Sequence, residues 1–160
     1  MDTTELEAAY RDLLDVARAG GFGPPAGEGG WSAELVLAAV VATDRLLAAT
    51  TAEVLAGAST RYDNAPATRE AHLRAIARAA GDLDGLVAEA RRCGLELVLL
   101  ARELGEAAAT PVDVRLLDGD EVRLAAPMPW SGMLATHAEV HLRERREALV
   151  ALAGGAAAGR

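Results

Sequence analysis

The sequence predicts a mainly all-α protein, because its composition favours helices and its apolar residues recur at helical spacing. Apolar residues make up 51% of the 160 positions, but aromatic residues only 3%. The core must therefore be built from Leu, Val and Ala; Ala is the best helix former, and strand-forming residues are scarce. A chain of this length supports one domain, so we expect a single domain over 1–160 with a frayed tail at 154–160.

The first predicted helices are separated by a loop rich in glycine and proline. Helical spacing of apolar residues predicts the first helix over 3–19 and the second over 32–56, with Ser32 as N-cap and Gly57 as its end. Trp31 precedes the second helix. We expect it to be at least half buried, so that it anchors the loop that leads into the helix.

A long apolar series follows, which we interpret as two helices. One straight helix of about 40 residues would be roughly 60 Å long, too long for a compact chain of this size. Gly81 is the best candidate for a break. The sequence therefore predicts a short helix over 66–80 and a long one over 82–107.

Residues 112–124 alternate between apolar and charged side chains, which predicts a β-hairpin before the last helix. A three-residue loop at 117–119 would place Val114 opposite Val122 and satisfy both faces of the hairpin. Prolines at 127 and 129 are expected to end the strand. The last main helix is predicted over 131–152, preceded by Trp130, which should also be at least half buried.

The net charge of −8 disfavours nucleic acid as a partner. Cys93 is the only cysteine, which excludes an intramolecular disulfide and a multi-cysteine zinc site. The first residues are acidic where a signal peptide is basic and then apolar, and no apolar run reaches the length of a bilayer span. We therefore expect a cytoplasmic protein with no membrane partner.

The metal-like pattern in the sequence is the pair His137 and His141. At a spacing of four on a helix, the two rings lie one above the other and can reach one ion, although two ligands are only half of a tetrahedral site. The alternative is a pair of polar residues that line a cleft or bond to neighbours. Their helix face predicts that both rings point inward.

Other chemistry-bearing residues have simpler interpretations. His72 is expected on the surface, and Cys93 is favoured as a buried thiol over a nucleophile. For Asp44 and Arg45 a solvated pair is favoured over an inward-facing Asp44 that contacts a metal or substrate. The charged run at 143–147 is typical of a solvated helix face.

Two short motifs carry a family resemblance. Residues 30–38 read GWSAELVLA, and residues 130–134 read WSGML and lead to His137-x-x-x-His141. Together with the order of elements, this pattern resembles the DinB/YfiT-like superfamily, and within it the mycothiol-dependent maleylpyruvate isomerase-like branch. The resemblance implies an up-down-down-up four-helix bundle, often a homodimer. It also implies a divalent metal, usually zinc or nickel, held by three residues, of which two map onto His137 and His141.

The third ligand of that family maps onto Ala39, which cannot ligate a metal, so the implied site is incomplete. Asp44, five residues further along, points about 140° away from Ala39. The resemblance implies that a metal activates a low-molecular-weight thiol such as mycothiol. All 16 Lys and Arg positions are Arg, which is typical of a GC-rich genome and suggests an actinobacterial source. Three interpretations stay open: a metal-dependent, thiol-using transferase or isomerase, a metal-free bundle that binds a small molecule, and a dimeric structural bundle.

Overall fold

A computed structural model describes residues 1–25, 27 and 29–158, and the protein it shows is mainly helical with a small sheet. The helices are α1 (Thr4–Ala19), α2 (Ala33–Leu55), α3 (Ala65–Thr68), α4 (Glu70–Ala80), α5 (Leu83–Glu103), α6 (Trp130–Thr136) and α7 (Arg143–Ala158). A 3₁₀ turn, Gly105–Ala109, follows α5, and a π-helical segment, His137–Leu142, joins α6 to α7. The strands are β1 (Arg61–Asp63), β2 (Pro111–Asp118) and β3 (Glu121–Pro129).

Helix α2 is the central element of the core. It packs against α4, α5 and α7, and Ser32 caps it as predicted by accepting a hydrogen bond from the Leu35 N–H at 3.5 Å. Contrary to the expectation from sequence, α2 is long and apolar enough to cross a bilayer, the one such helix in the described part of the chain. However, 72% of its apolar window is buried inside the protein, as in a core helix of a soluble protein.

The predicted break at Gly81 is confirmed. Gly81 has a φ of 90°, a conformation that favours glycine, and Asp82 then caps α5 by accepting from the Gly85 N–H at 2.8 Å. The helix predicted over 66–80 is divided, because Arg69 adopts an extended conformation between α3 and α4. The helix predicted to reach residue 107 ends earlier, and a 3₁₀ turn takes over its last residues.

The hairpin is present, but its predicted register is wrong. Asp118 pairs with Glu121, so the loop has two residues, and Val114 lies opposite Ala126 instead of Val122. A bulge makes this register possible: Arg123 is an extra residue on β3, and it shifts the alternation by one between Leu116 and Leu117. The predicted three-residue loop follows from an uninterrupted alternation along both strands, and the bulge at Arg123 interrupts that alternation.

The sheet is also larger than predicted, with strand order β1–β2–β3. Strand β3 continues through the prolines that were expected to end it, which an edge strand tolerates because one side needs no N–H donors. Strand β1 pairs parallel to β2. Next to β1, the Asn64 side chain holds the Leu117 backbone with two hydrogen bonds, of 2.7 and 3.0 Å.

The end of the chain is more helical than expected. The predicted last helix ends near residue 152, but α7 continues to Ala158; of the predicted frayed tail, residues 159–160 lie outside the described residues. Both tryptophans are at least half buried, as predicted: Trp31 is mostly buried, and Trp130 is fully buried with its Nε1–H donating to Thr51 Oγ1 at 2.9 Å. The up-down-down-up bundle topology stays a prediction.

Candidate functional site

A buried polar cluster joins three helical elements. His137, at the start of the π-helical segment, is 1% exposed, and its Nε2 lies 3.0 Å from Oδ1 of Asp44 on α2. The hydroxyl of Tyr10 on α1 lies 2.7 Å from the same oxygen and 3.2 Å from His137 Nε2. π-Helical segments occur frequently at functional sites, since the wider turn displaces side chains from the regular helical pattern.

Asp44 is placed differently from the favoured interpretation. It is fully buried, at 0% exposure, whereas only Arg45 faces solvent, where it pairs with Glu89. Almost every face of α2 is covered, so a polar residue in its middle is enclosed with the apolar ones. Asp44, not Ala39, is therefore the α2 residue that contacts His137; Ala39 is buried in the core.

The hydrogen bonds fix the chemical roles of the cluster. Tyr10 donates its hydroxyl proton to the Asp44 carboxylate, and burial together with that carboxylate raises the pKa of Tyr10 well above its ordinary value. With Asp44 as acceptor, His137 carries its proton on Nε2. Its Nδ1 is buried without a partner among the described residues.

A glycine sets the position of the Tyr10 ring. A Cβ on Gly94 of α5 would lie 2.7 Å from Cε1 of Tyr10, closer than atoms approach without displacement. The missing side chain lets the ring lie against the backbone of α5, and this brings the hydroxyl to Asp44. Helical spacing places Tyr10 on the apolar face of the first predicted helix, and the need of a buried tyrosine hydroxyl for a hydrogen-bond partner is the signal in the sequence that it belongs to a polar cluster.

His141 lies beside this cluster, as the spacing predicts. Its ring centroid is 5.9 Å from that of His137, and the side chain is partly buried. Burial, with smaller contributions from His137 and Arg145, lowers the pKa of His141 to about 4. His141 is therefore a neutral imidazole near pH 7, able to donate from one nitrogen and accept at the other.

The two histidines line a cavity of about 640 Å³ between α2, the sheet and the last helical elements. A volume of this size is typical of sites for small molecules. The polar side chains that line it are those of Thr43, Tyr62, Asn64, Thr68, Asp118, Arg123, His137, His141, Glu144 and Arg145.

Buried polar atoms without partners lie at the cavity and beside it. Among the described residues they include the Tyr62 hydroxyl and His137 Nδ1, on residues that line the cavity, and Oδ2 of Asp44, which contacts His137 but does not line the cavity. Burial and the nearby Asp44 carboxylate raise the pKa of Tyr62, so the phenol stays protonated. Because buried polar groups are nearly always hydrogen-bonded, such a set indicates that these atoms bond to water or to a ligand.

Arg145, like Asp44, lies in a different environment from the one predicted from sequence. The charged run was expected to be solvated, but the Arg145 side chain is mostly buried and its guanidinium carbon lies 5.0 Å from the centroid of the Trp31 ring. Burial lowers the pKa of Arg145, which nevertheless stays a cation. A sequence signal is present: Arg145 lies four positions after the inward-facing His141, on the same helix face, although it directly follows the exposed Glu144.

The side chains do not fit the three-residue metal centre that the resemblance implies. Within residues 1–25, 27 and 29–158, no three His, Cys, Asp or Glu side chains converge as a ligand set. His137 Nε2 is already bonded to Asp44 and lies 3.2 Å from the Tyr10 hydroxyl. A metal on His137 and His141 therefore stays a prediction with two candidate ligands.

The remaining candidates lie elsewhere. His72 is exposed on α4, as predicted. Cys93 is buried on α5, and burial raises the pKa of its thiol, which fits the predicted structural role.

Comparison of this chain with protein-family models, with curated proteins and with solved structures finds no match in any of the three. The fold and the site themselves define the class of protein: a mainly helical protein with a cavity lined by polar side chains.

Proposed function

We propose that this protein binds a small polar organic molecule in the cavity beside His137 and His141. The observation that carries the proposal is the pair of unpartnered buried atoms on Tyr62 and His137, two residues that line the cavity. A buried polar atom without a partner costs about 1–3 kcal/mol, and a ligand with matching groups would remove that cost. This is the metal-free alternative among the interpretations from sequence.

The lining groups suggest the chemistry of the ligand. His137 Nδ1 and the protonated Tyr62 hydroxyl are hydrogen-bonding groups without partners, so the part of the ligand beside them carries polar groups. The Arg145 guanidinium, which lies over the Trp31 ring, supplies a positive charge. This charge favours a carboxylate at the other end of the ligand. We therefore propose a hydroxy or oxo acid of metabolite size.

The thiol-using transferase or isomerase implied by the DinB resemblance is the competing proposal. It needs an ion that activates the thiol, and the donor set available here supplies two histidines, one with an engaged nitrogen. The donor set therefore favours binding over that reaction.

The proposal is tested by titrating the protein with a panel of small hydroxy and oxo acids and their uncharged amides. Trp31 and Trp130 are the only tryptophans, and Trp31 lines the cavity, so a ligand should change the fluorescence of Trp31. Ligands should also raise Tm through preferential binding to the folded state. The acids should bind at least ten times more tightly than the amides.

Two variants locate the binding site. His141→Ala should weaken binding at least tenfold, whereas His72→Ala, which removes an exposed histidine on α4, should leave it unchanged. Thr43→Phe should abolish binding by filling the cavity. Binding that persists in Thr43→Phe, or that His72→Ala weakens as much as His141→Ala does, would contradict the proposal.

A further inference from the structure

A second cavity adjoins the polar cavity that His137 and His141 line. It has a volume of about 320 Å³ and lies between the loop before α2 and helix α7. Its walls are mostly apolar, and they include the side chains of Val36 on α2 and of Ala148 and Leu152 on α7. We call this space the apolar groove. Since a cavity of about 150 Å³ already admits benzene, the apolar groove has room for an aromatic ring or a short alkyl chain.

Trp31 and Arg145 lie at the boundary between the two spaces. Both residues line the polar cavity, and both line the apolar groove. The Arg145 guanidinium lies over the Trp31 ring, and no carboxylate among the described residues forms an ion pair with it, although the side chain is mostly buried. Because a buried cation is stabilised when an anion pairs with it, Arg145 favours a ligand whose carboxylate lies at this boundary.

The position of Arg145 restricts where the ligand can carry an apolar group. A carboxylate ends a carbon chain, so a ligand held at the boundary can reach both spaces only if its chain branches. The carbon next to the carboxylate is the first atom that can carry two branches. One branch then brings polar groups to Tyr62 and His137, and the other is apolar and lies in the groove. Removal of the apolar branch from water favours binding.

We propose that the ligand is a hydroxy or oxo acid with an aryl or alkyl substituent on the carbon next to the carboxylate. The carboxylate pairs with Arg145, and the hydroxy or oxo group lies in the polar cavity beside Tyr62 and His137. The substituent occupies the apolar groove, where an aryl group contacts the Trp31 ring. This inference rests on the proposed function and adds a requirement that the polar cavity alone would not impose.

Isothermal titration calorimetry with three acids tests where the ligand carries its apolar group. The first acid, 3-hydroxypropanoate, has no substituent, and the second, 2-benzyl-3-hydroxypropanoate, carries a benzyl group next to the carboxylate. The third, 3-hydroxy-4-phenylbutanoate, is an isomer of the second, but its ring lies at the end of the chain that enters the polar cavity. The benzyl acid should bind at least tenfold more tightly than either of the other two. Equal affinities of the two isomers would show that hydrophobicity alone, and not the groove, strengthens binding.

Substitutions in the apolar groove locate the benzyl group. Ala148→Phe fills the groove with a ring, and Ala151→Asp places a charge at its exposed side. Each variant should reduce the tenfold preference for the benzyl acid over 3-hydroxypropanoate to less than twofold, and continued binding of 3-hydroxypropanoate shows that the variant is folded. The ratio of the two affinities cancels any general effect of the added charge. Ala88→Asp, at an exposed position on α5 that lines neither space, should keep the preference.

The outcomes separate this inference from the proposed function. If none of the three acids binds, the proposed function fails and this inference fails with it. If 3-hydroxypropanoate binds but the benzyl group adds no affinity, only this inference is overturned. The same conclusion follows if the preference for the benzyl acid persists in both groove variants, because the ring then binds elsewhere.

Discussion

Tyr10 shows how one hydroxyl group stabilises a charge in the core. It donates to a carboxylate that is 0% exposed and that receives its other hydrogen bond from His137. A buried carboxylate is tolerated only when donors replace the water that it lost. The Tyr10 hydroxyl is therefore expected to contribute more to stability than an ordinary hydrogen bond.

Tyr10→Phe should lower the free energy of unfolding by about 1.5–3 kcal/mol, the range for a hydrogen bond to a charged group. Urea denaturation at pH 7 measures the difference. Tyr62→Phe is the matched control, because it removes a buried hydroxyl that has no partner in the described structure. That control should cost less than about 0.5 kcal/mol; equal losses in the two variants would show that the contact with Asp44 contributes nothing.

At the scale of elements, the close approach of α1 to α5 depends on Gly94. Glycine inside a helix is normally unfavourable by about 0.5–1 kcal/mol relative to alanine. Here the ring of Tyr10 occupies the space that a side chain would fill. Helix α5 therefore contains a residue of low helix propensity at position 94, and this residue lets Tyr10 reach the buried cluster.

Gly94→Ala should destabilise the protein in spite of its better helix propensity. The added methyl would meet the rigid Tyr10 ring at 2.7 Å, so the ring must move away from Asp44. We expect a loss of about 1–3 kcal/mol by urea denaturation. Gly154→Ala, on α7 where no atom lies within 4 Å, should be neutral or stabilising. A stabilised Gly94→Ala would mean that the two helices separate without penalty.

At the scale of the whole molecule, Glu89 links α2 to α5. Hydrogen bonds from Arg92 and Arg45 lower the pKa of Glu89 to about 2. A lowered pKa stabilises the folded state above the unfolded value near 4.5, and this contribution is lost as the pH falls toward 2.

Glu89→Gln should therefore cost about 1–2 kcal/mol at pH 7, a value reduced by partial exposure of the pair. Wild type and variant should converge in stability between pH 4.5 and pH 2, as measured by denaturation at a series of pH values. Glu70→Gln removes an exposed ion pair with Arg74 and should change stability by less than about 0.5 kcal/mol. A difference that persists at pH 2 would show that charge is not its origin.

Much of the helical framework could be predicted from sequence because its signals are local. Ser32 as N-cap and the break at Gly81 both depend on residues close to them in the chain. The orientation of Asp44 depended on which faces of α2 other elements cover. The hairpin register depended on a bulge, which leaves little trace in the pattern of alternation.

The parallel pairing of β1 with β2 has a consequence for the order of folding. Asn64 and Leu117, which join these segments, are 53 positions apart, and β1 has only three residues. Closing a loop of that size carries an entropic penalty that few contacts offset until the helices between have docked. The sheet is therefore expected to assemble late in folding and to open early by local unfolding. Since the sheet forms one wall of the cavity, its sub-global opening would give a ligand a way in and out without melting the helices.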